Sequence, residues 1–121
     1  MIKAIPLTKE MFCIVSDVDY AWAMQWQWFC TWSLKNKQPK GYAARTMTRE
    51  EMKNGKRNLI WLHKEVLLRH IGPPPTPAHI IGDHENGDSL LNTRGNLRWA
   101  THQMNARNKY GIITRQYQLE V

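Results

Sequence analysis

The residues best suited to chemistry lie in the stretch DHENGDSLLNTRGNLRWATHQMNARN, which runs from position 83 to position 108. Asp83 offers a carboxylate oxygen and Asn105 an amide oxygen, and oxygen atoms are the ligands that Mg²⁺ prefers. His84 offers an imidazole, which can accept a proton near neutral pH. A divalent cation together with a base is what hydrolysis of a phosphodiester requires. The residue types permit this chemistry, and the fold must bring them together.

The elements around these residues are predicted in the order strand, polar loop, strand, helix. "AHIIGD" predicts a strand that runs into a turn at Glu85–Gly87, and "NLRWA" predicts a second strand. Thr101 is typical of an N-cap, and "HQMNARNK" predicts a helix that carries Asn105 towards the strands. Neighbouring side chains on a strand point to opposite faces, so Asp83 and His84 can share a site only if the backbone bends there.

The upstream sequence predicts a small mixed arrangement of strands and helices. Strands are expected at 2–7, 11–15, 28–34, 42–47 and 58–62, and helices are expected to begin near Ser16 or Asp17 and to span 62–70. The six tryptophans are expected in the core rather than on a base-stacking surface. The prolines after Gly72 predict a stiff connector. We therefore divide the chain into 1–72, a connector at 73–78, and 79–121.

The charge of the chain favours a polyanionic partner. The formal net charge is +7, and eight basic residues between Lys35 and Arg57 are opposed only by Glu50 and Glu51. Lysine and arginine contacts to phosphates release counterions, which drives binding to nucleic acids. A solvated surface on a basic protein is the competing interpretation.

The composition narrows the class of protein. No apolar run approaches the length of a membrane span, and the start of the sequence lacks the pattern of a signal peptide. The two cysteines, Cys13 and Cys30, are too few for a disulfide framework or a four-thiolate zinc site. We expect a cytoplasmic protein with no membrane partner and no structural zinc.

The stretch from position 83 to position 108 resembles the HNH endonuclease motif, in the variant whose third position is asparagine. Twelve positions separate His84 from Asn96, nine separate Asn96 from Asn105, and the flanking "DH-NGD" and "NLR-AT" residues agree as well. Upstream, "IPLTKEMFCIVSDVDYAWAMQWQWF", "GYAAR" and "LHKEV" are similar to the N-terminal half of small free-standing HNH homing endonucleases carried by phages.

This resemblance implies an α+β protein: an N-terminal mixed β/α part that binds DNA, followed by a ββα-metal motif, also called a His-Me finger. Asp83 and Asn105 would bind one Mg²⁺ or Mn²⁺ ion, and His84 would be the general base. Asn96 would support catalysis structurally, because its side-chain amide would tie the loop to the backbone. The implied activity is nicking or cutting of double-stranded DNA in the cytoplasm of the host cell, by a monomer or a homodimer.

The basic residues predict where the DNA backbone is contacted, although a plain surface role competes for each arginine. Arg94, Arg98 and Arg107 lie within or beside the motif, and guanidinium groups can clamp a phosphate. In the upstream basic stretch the predicted contacts are Lys35, Lys37, Lys40 and Arg45.

Several polar residues receive simpler interpretations. Asn86, Asn92 and Asn108 are assigned to turns and surface hydration, and Asp88 is left out of the site as a turn residue. His63 could contact DNA or pack in the interior. A DNA-binding protein that has lost catalysis is the alternative function, and an RNA target is a weaker option.

Overall fold

The computed structural model describes residues 1–33, 40–52 and 55–109. They form an α+β fold with three small sheets and three short helices. The strands are β1 (Ile2–Pro6), β2 (Phe12–Ser16), β3 (Phe29–Ser33), β4 (Lys40–Thr46), β5 (Leu59–Trp61), β6 (Ile81–His84), β7 (Leu91–Asn92) and β8 (Leu97–Ala100). The helices are α1 (Asp17–Ala23), α2 (Leu62–His70) and α3 (His102–Lys109), and 3₁₀ turns occupy Arg49–Glu51 and Arg94–Asn96.

The sheets connect distant parts of the chain. β1 and β2 form an antiparallel hairpin, and the short strand β7 joins β2 in parallel, with Val15 opposite Asn92. The second sheet has the order β3-β4-β5, and the third is the antiparallel pair β6-β8. β7 lies inside the segment that the sequence predicts to be an irregular polar loop, so the N-terminal hairpin holds that segment in place.

Helix α1 is shorter than the spacing of its apolar residues suggests. It ends at Ala23, and Trp26 lies beyond it. The indole Nε1 of Trp28 donates a hydrogen bond of 2.8 Å to the Ala23 carbonyl oxygen, which occupies an acceptor at the end of the helix. Trp26 then packs edge-on against both Trp22 and Trp28. Trp28 and Trp99 are buried in the core, whereas Trp32 is exposed.

One hydrophobic core includes residues from before and after the proline connector. Val15, Leu62 and Val66 pack in the same cluster as Leu97 and Trp99. The buried carboxylate of Asp19 adds a polar link, because it accepts hydrogen bonds from Arg69 on α2 and from Arg94. Burial opposes the charged form of Asp19, but the two arginines outweigh it and hold its pKa below the ordinary value. No helix among the described residues is long and apolar enough to cross a membrane.

Helix α2 approaches strand β6 closely at Gly82. A Cβ atom at this position would lie 2.9 Å from Cδ2 of His63 and 3.2 Å from Cγ of Lys64. Because the His63 side chain is buried, it has little room to move away. The absence of a side chain at Gly82 therefore allows α2 to press a histidine against the strand that carries Asp83 and His84.

We expect Gly82→Ala to lower the free energy of unfolding by about 1–3 kcal/mol, the usual cost of overpacking a tight contact. Gly95→Ala is the matched control, because a Cβ atom at Gly95 meets nothing within 4 Å. Urea unfolding of both variants measures the difference. Equal stability of the two variants would contradict the close approach.

Candidate functional site

Three adjoining elements carry the residues that the sequence singles out. β6 pairs with β8 so that Asp83 is opposite Arg98 and His84 is opposite Leu97. Helix α3, which carries Asn105, contacts both strands. Its start is fixed as the sequence predicts, because the Met104 backbone N–H donates to Oγ1 of Thr101. The order strand, connecting segment, strand, helix is therefore present, with Asp83 and Asn105 on neighbouring elements.

The backbone turns immediately after His84, the last residue of β6. The Gly87 N–H donates to the His84 carbonyl oxygen at 2.8 Å, and Gly87 has a φ of 82°, which favours glycine. The Glu85 N–H donates to the Asn96 carbonyl oxygen at 2.7 Å. The bend near Glu85–Gly87 therefore begins directly after the histidine, and Asp83 and His84 are consecutive residues of β6.

The side chain of Asn96 bridges the segment that joins β6 to β8. Its Oδ1 accepts a hydrogen bond from the Asn86 N–H at 3.1 Å, and its Nδ2 donates to the Leu91 carbonyl oxygen at 2.9 Å. Asn96 is buried, so these bonds are shielded from water. The amide thus joins the beginning and the middle of the segment, and its importance for catalysis stays a prediction.

Asp83 is 4% exposed, and its Oδ2 accepts a hydrogen bond of 2.9 Å from Nε of Arg98. Because the two residues are direct partners across the strands, their side chains lie on the same face of the pair. The charge of Asp83 also reaches Tyr42 on β4. Burial first, and the negative charge of Asp83 second, raise the pKa of the Tyr42 hydroxyl.

His84 belongs to a group of four packed rings that we call the ring cluster: Tyr42, Trp61, His63 and His84. The His84 ring centroid lies 4.9 Å from that of His63 and 6.0 Å from that of Tyr42. The ring centroids of Tyr42 and His63 are 5.8 Å apart, and Trp61 packs against both. The imidazole of His84 therefore has an aromatic neighbour on β4 and an imidazole neighbour on α2.

The ring cluster keeps its histidines uncharged at neutral pH. Burial lowers the pKa of His84 from 6.5 to about 4, although the Asn92 hydrogen bond and the charges of Asp83 and Asp88 raise it. Burial likewise lowers the pKa of His63 well below its usual value, with His84 and Lys64 adding to the effect. A neutral imidazole is the form that can accept a proton.

The structure brings into this region three residues that the sequence did not assign to it. Nε2 of His84 lies 2.7 Å from Oδ1 of Asn92, a residue that we had assigned to turn formation. Tyr42 touches both histidine rings. Asp88 is buried, with Oδ1 bonded to the Leu90 N–H and no hydrogen-bond partner for Oδ2 among the described residues. No local sequence signal could show these contacts, because each depends on the tertiary fold.

Two of the predicted DNA-binding arginines are engaged inside the protein. Arg45 is 2% exposed, stacks on Trp26 and makes a bidentate ion pair with Glu51. Arg94 makes a bidentate pair with Asp19. The buried and paired guanidinium of Arg45 supports packing, and its contact with DNA stays a prediction. The Arg94 side chain is partly exposed while it pairs with Asp19, and its contact with DNA also stays a prediction.

The remaining basic candidates are placed differently. Lys40 donates from Nζ to the Gly87 carbonyl oxygen at 3.1 Å, which puts it at the turn that follows His84. The side chain of Arg98 is 32% exposed and uses Nε for its bond to Asp83. Arg107 lies on α3, where only its position is described. Lys35 and Lys37 lie outside the described residues.

The residues that would hold a divalent cation offer hard oxygen donors. Asp83 supplies a carboxylate and Asn105 an amide oxygen, and water and phosphate oxygens commonly complete the shell of Mg²⁺. Within residues 1–33, 40–52 and 55–109, no group of three or more histidine, cysteine, aspartate or glutamate side chains could hold a metal ion. Asp83 and Asn105 would offer a Mg²⁺ or Mn²⁺ ion two oxygen donors of the kind that such ions prefer, and Arg98 would share the Asp83 carboxylate with it.

Comparison of the chain with known proteins found no match: no protein-family model, no curated protein and no solved structure is similar to it. Roles must therefore be inferred from the contacts of this molecule. The contacts that carry most weight are those of Asp83 with Arg98, of His84 with Asn92 and of Asn96 with the connecting segment.

The depressed pKa of His84 predicts how stability depends on pH. Between about pH 6.5 and pH 4 the unfolded state binds a proton at His84 that the folded state does not bind. This contribution to stability is complete above pH 6.5 and is lost as the pH falls through that window. Because one pKa unit corresponds to about 1.4 kcal/mol, the loss from His84 between pH 7 and pH 4.5 should be roughly 2 kcal/mol.

Urea unfolding at pH 7 and pH 4.5 tests this expectation, with His84→Gln compared with wild type. The variant should lose about 2 kcal/mol less on acidification. His70→Gln is the control, because His70 is exposed and should leave the wild-type loss unchanged. An equal loss in wild type and His84→Gln would show that His84 does not titrate as its burial requires.

Proposed function

We propose that this chain is a metal-dependent DNA endonuclease of the HNH type, in which β6, β8 and α3 act as a ββα-metal motif. The observation that carries the proposal is the arrangement around β6. Asp83 and His84 end that strand at a turn, β8 pairs with it in register, and α3 with Asn105 contacts both strands. Asn96 braces the connecting segment. The order and residue types match the HNN variant of the HNH motif.

Asp83 and Asn105 would hold the cation. When bound, Mg²⁺ or Mn²⁺ would neutralise charge that develops on the phosphate and on the leaving oxygen. Arg98 orients the Asp83 carboxylate from the opposite strand through a hydrogen bond from Nε. Nε of Arg98 bonds to Asp83 and the Arg98 side chain is 32% exposed, so we propose that its guanidinium also contacts a phosphate oxygen.

His84 would act as the general base. Its low pKa keeps the imidazole neutral, so it can take a proton from the water that attacks phosphorus. The turn at Glu85–Gly87 begins at His84 and places the imidazole at the end of a strand rather than in its middle. The products would be a 3′-hydroxyl and a 5′-phosphate.

Double-stranded DNA is the proposed partner. The net charge of +7 supplies long-range attraction for a polyanion. Lys40, at the turn after His84, and Arg98, opposite Asp83, carry positive charge to the candidate site. We propose Lys35, Lys37 and Arg107 as further backbone contacts from their charge and sequence position. A phage homing endonuclease acting in the host cytoplasm is the biological setting that this proposal favours.

One observation favours the alternative of DNA binding without cleavage. His84 is only 6% exposed, and the carboxylate of Asp83 is already paired with Arg98. A site closed in this way would bind DNA through its basic residues and leave the phosphodiester intact. Cleavage and binding must therefore be measured on the same samples.

A plasmid-nicking assay with Mg²⁺, repeated with Mn²⁺ and with EDTA, tests the proposal. We expect His84→Ala to lower the rate at least about 100-fold, because general-base catalysis contributes about 10²–10⁴-fold. Asn105→Ala should raise the Mg²⁺ concentration needed for half-maximal nicking.

His70→Ala is the matched control for the histidine variant, because it removes an exposed imidazole outside the ring cluster. It should nick at the wild-type rate. Full activity of His84→Ala would reject the assigned base. Retained DNA binding without cleavage under any divalent cation would establish the alternative.

Asn96→Ala tests the bracing of the connecting segment. Loss of its two buried hydrogen bonds should lower the free energy of unfolding by roughly 1–3 kcal/mol and reduce nicking, while the Mg²⁺ requirement stays unchanged. Asn58→Ala, at an exposed position, should alter neither quantity. Wild-type nicking and stability in Asn96→Ala would make the assigned role wrong.

A further inference from the structure

We propose that Asn92 is a positioning residue that fixes the tautomer of His84, so that Nε2 carries the ring proton and Nδ1 accepts the proton of the attacking water. This inference rests on the proposed function, because it assigns the roles of the two ring nitrogens of its general base. Three features of the structure support this role: the strand that carries Asn92, the direction of the Asn92 amide, and the rings that face His84.

The backbone of Asn92 is held by a distant part of the chain. Asn92 is the last residue of β7, which pairs in parallel with β2, and Val15 is its partner. The Ile14 N–H donates to the Leu90 carbonyl oxygen at 2.9 Å and extends this pairing. Asn92 is 1% exposed, so water does not compete for its amide. The N-terminal hairpin therefore sets the position from which Asn92 reaches the histidine.

The direction of the amide decides which imidazole nitrogen is protonated. Oδ1 of Asn92 lies 2.7 Å from Nε2 of His84, and an amide oxygen can only accept a hydrogen bond. Nε2 must then be the donor. Since a neutral imidazole carries one N–H, Nδ1 keeps its lone pair.

The surroundings of the Asn92 amide nitrogen, Nδ2, are consistent with Oδ1 facing His84. Nδ2 is buried and has no hydrogen-bond partner of standard geometry among the described residues. It nevertheless lies near enough to the Cys13 thiol on β2 to affect it. Burial raises the pKa of Cys13 to about 12, and the Asn92 amide opposes that rise. Sulfur is a weak acceptor, so an amide N–H can be directed at Cys13.

The rings packed against His84 oppose a half-turn of its imidazole. The His63 ring is 4.9 Å away and the Tyr42 ring 6.0 Å away, centroid to centroid. A half-turn of the imidazole would put a ring carbon against Oδ1 of Asn92 and leave that buried oxygen without its donor, which is costly. The hydrogen bond and the packing therefore select the same orientation.

The water oxygen forms a bond to phosphorus while one water O–H bond breaks, and that proton passes to Nδ1 of His84. The imidazolium keeps its Nε2 hydrogen bond to Oδ1 of Asn92, which stabilises the new positive charge. The bond from phosphorus to the 3′-oxygen breaks with its electron pair on that oxygen, which takes a proton from solvent.

Nitrogen-15 NMR of the DNA-free protein at pH 7.5 reads the tautomer directly. We expect wild-type His84 to show a protonated Nε2 and an unprotonated Nδ1. In Asn92→Ala the two tautomers should mix. Asn92→Asp should keep the protonated Nε2, because a carboxylate oxygen is also an acceptor. Asn58→Ala is the control and should leave the His84 signals unchanged.

Kinetics on the same variants give the second readout. Asn92→Ala should lower kcat for nicking at least about 10-fold with little change in KM, because a misdirected tautomer affects the chemical step, and Asn92→Asp should recover part of that loss. A protonated Nδ1 in the wild type overturns the inference even if Asn92→Ala fails to fold, and so does an unchanged tautomer in a folded Asn92→Ala. A wild type with the expected tautomer that cuts no DNA would overturn the proposed function and leave the tautomer assignment standing.

Discussion

The pairing of β6 with β8 is the constraint on which the rest of the site depends. Its register places Asp83 opposite Arg98 and His84 opposite Leu97. The carboxylate of Asp83 bonds to Arg98, and the imidazole of His84 packs in the ring cluster. Two adjacent residues thus receive different electrostatic surroundings. The Asp83 carboxylate has a guanidinium partner, and the low pKa of His84 keeps its imidazole neutral.

Residues from the first two-thirds of the chain surround this site. β2 holds the strand that carries Asn92, and β4 contributes Tyr42 to the ring cluster. β4 also secures the segment after His84, because Lys40 bonds to the Gly87 carbonyl oxygen and Ser89 Oγ donates to the carbonyl oxygen of Gly41. The residues proposed to do chemistry lie close together in sequence, but residues far from them in sequence determine their burial and hydrogen bonding.

The sequence predicted those features that depend on local periodicity and capping. α2 has the predicted bounds, and α3 begins beyond Thr101, whose hydroxyl caps it. Non-local features were missed. β7 exists because it pairs with β2, and the burial of Arg45 depends on Trp26 and Glu51 together. Asn92 resembled a turn residue, because nothing in its neighbourhood along the chain indicates an imidazole at its amide oxygen.

A crystal grown with Mn²⁺ and measured near the manganese absorption edge tests the central claim most directly. One anomalous peak should lie about 2.0–2.3 Å from a carboxylate oxygen of Asp83 and from the amide oxygen of Asn105, on the β6 side of α3, with water or phosphate in the remaining positions. An ion bound elsewhere, or Asp83 and Asn105 too far apart to share one ion, would contradict the account.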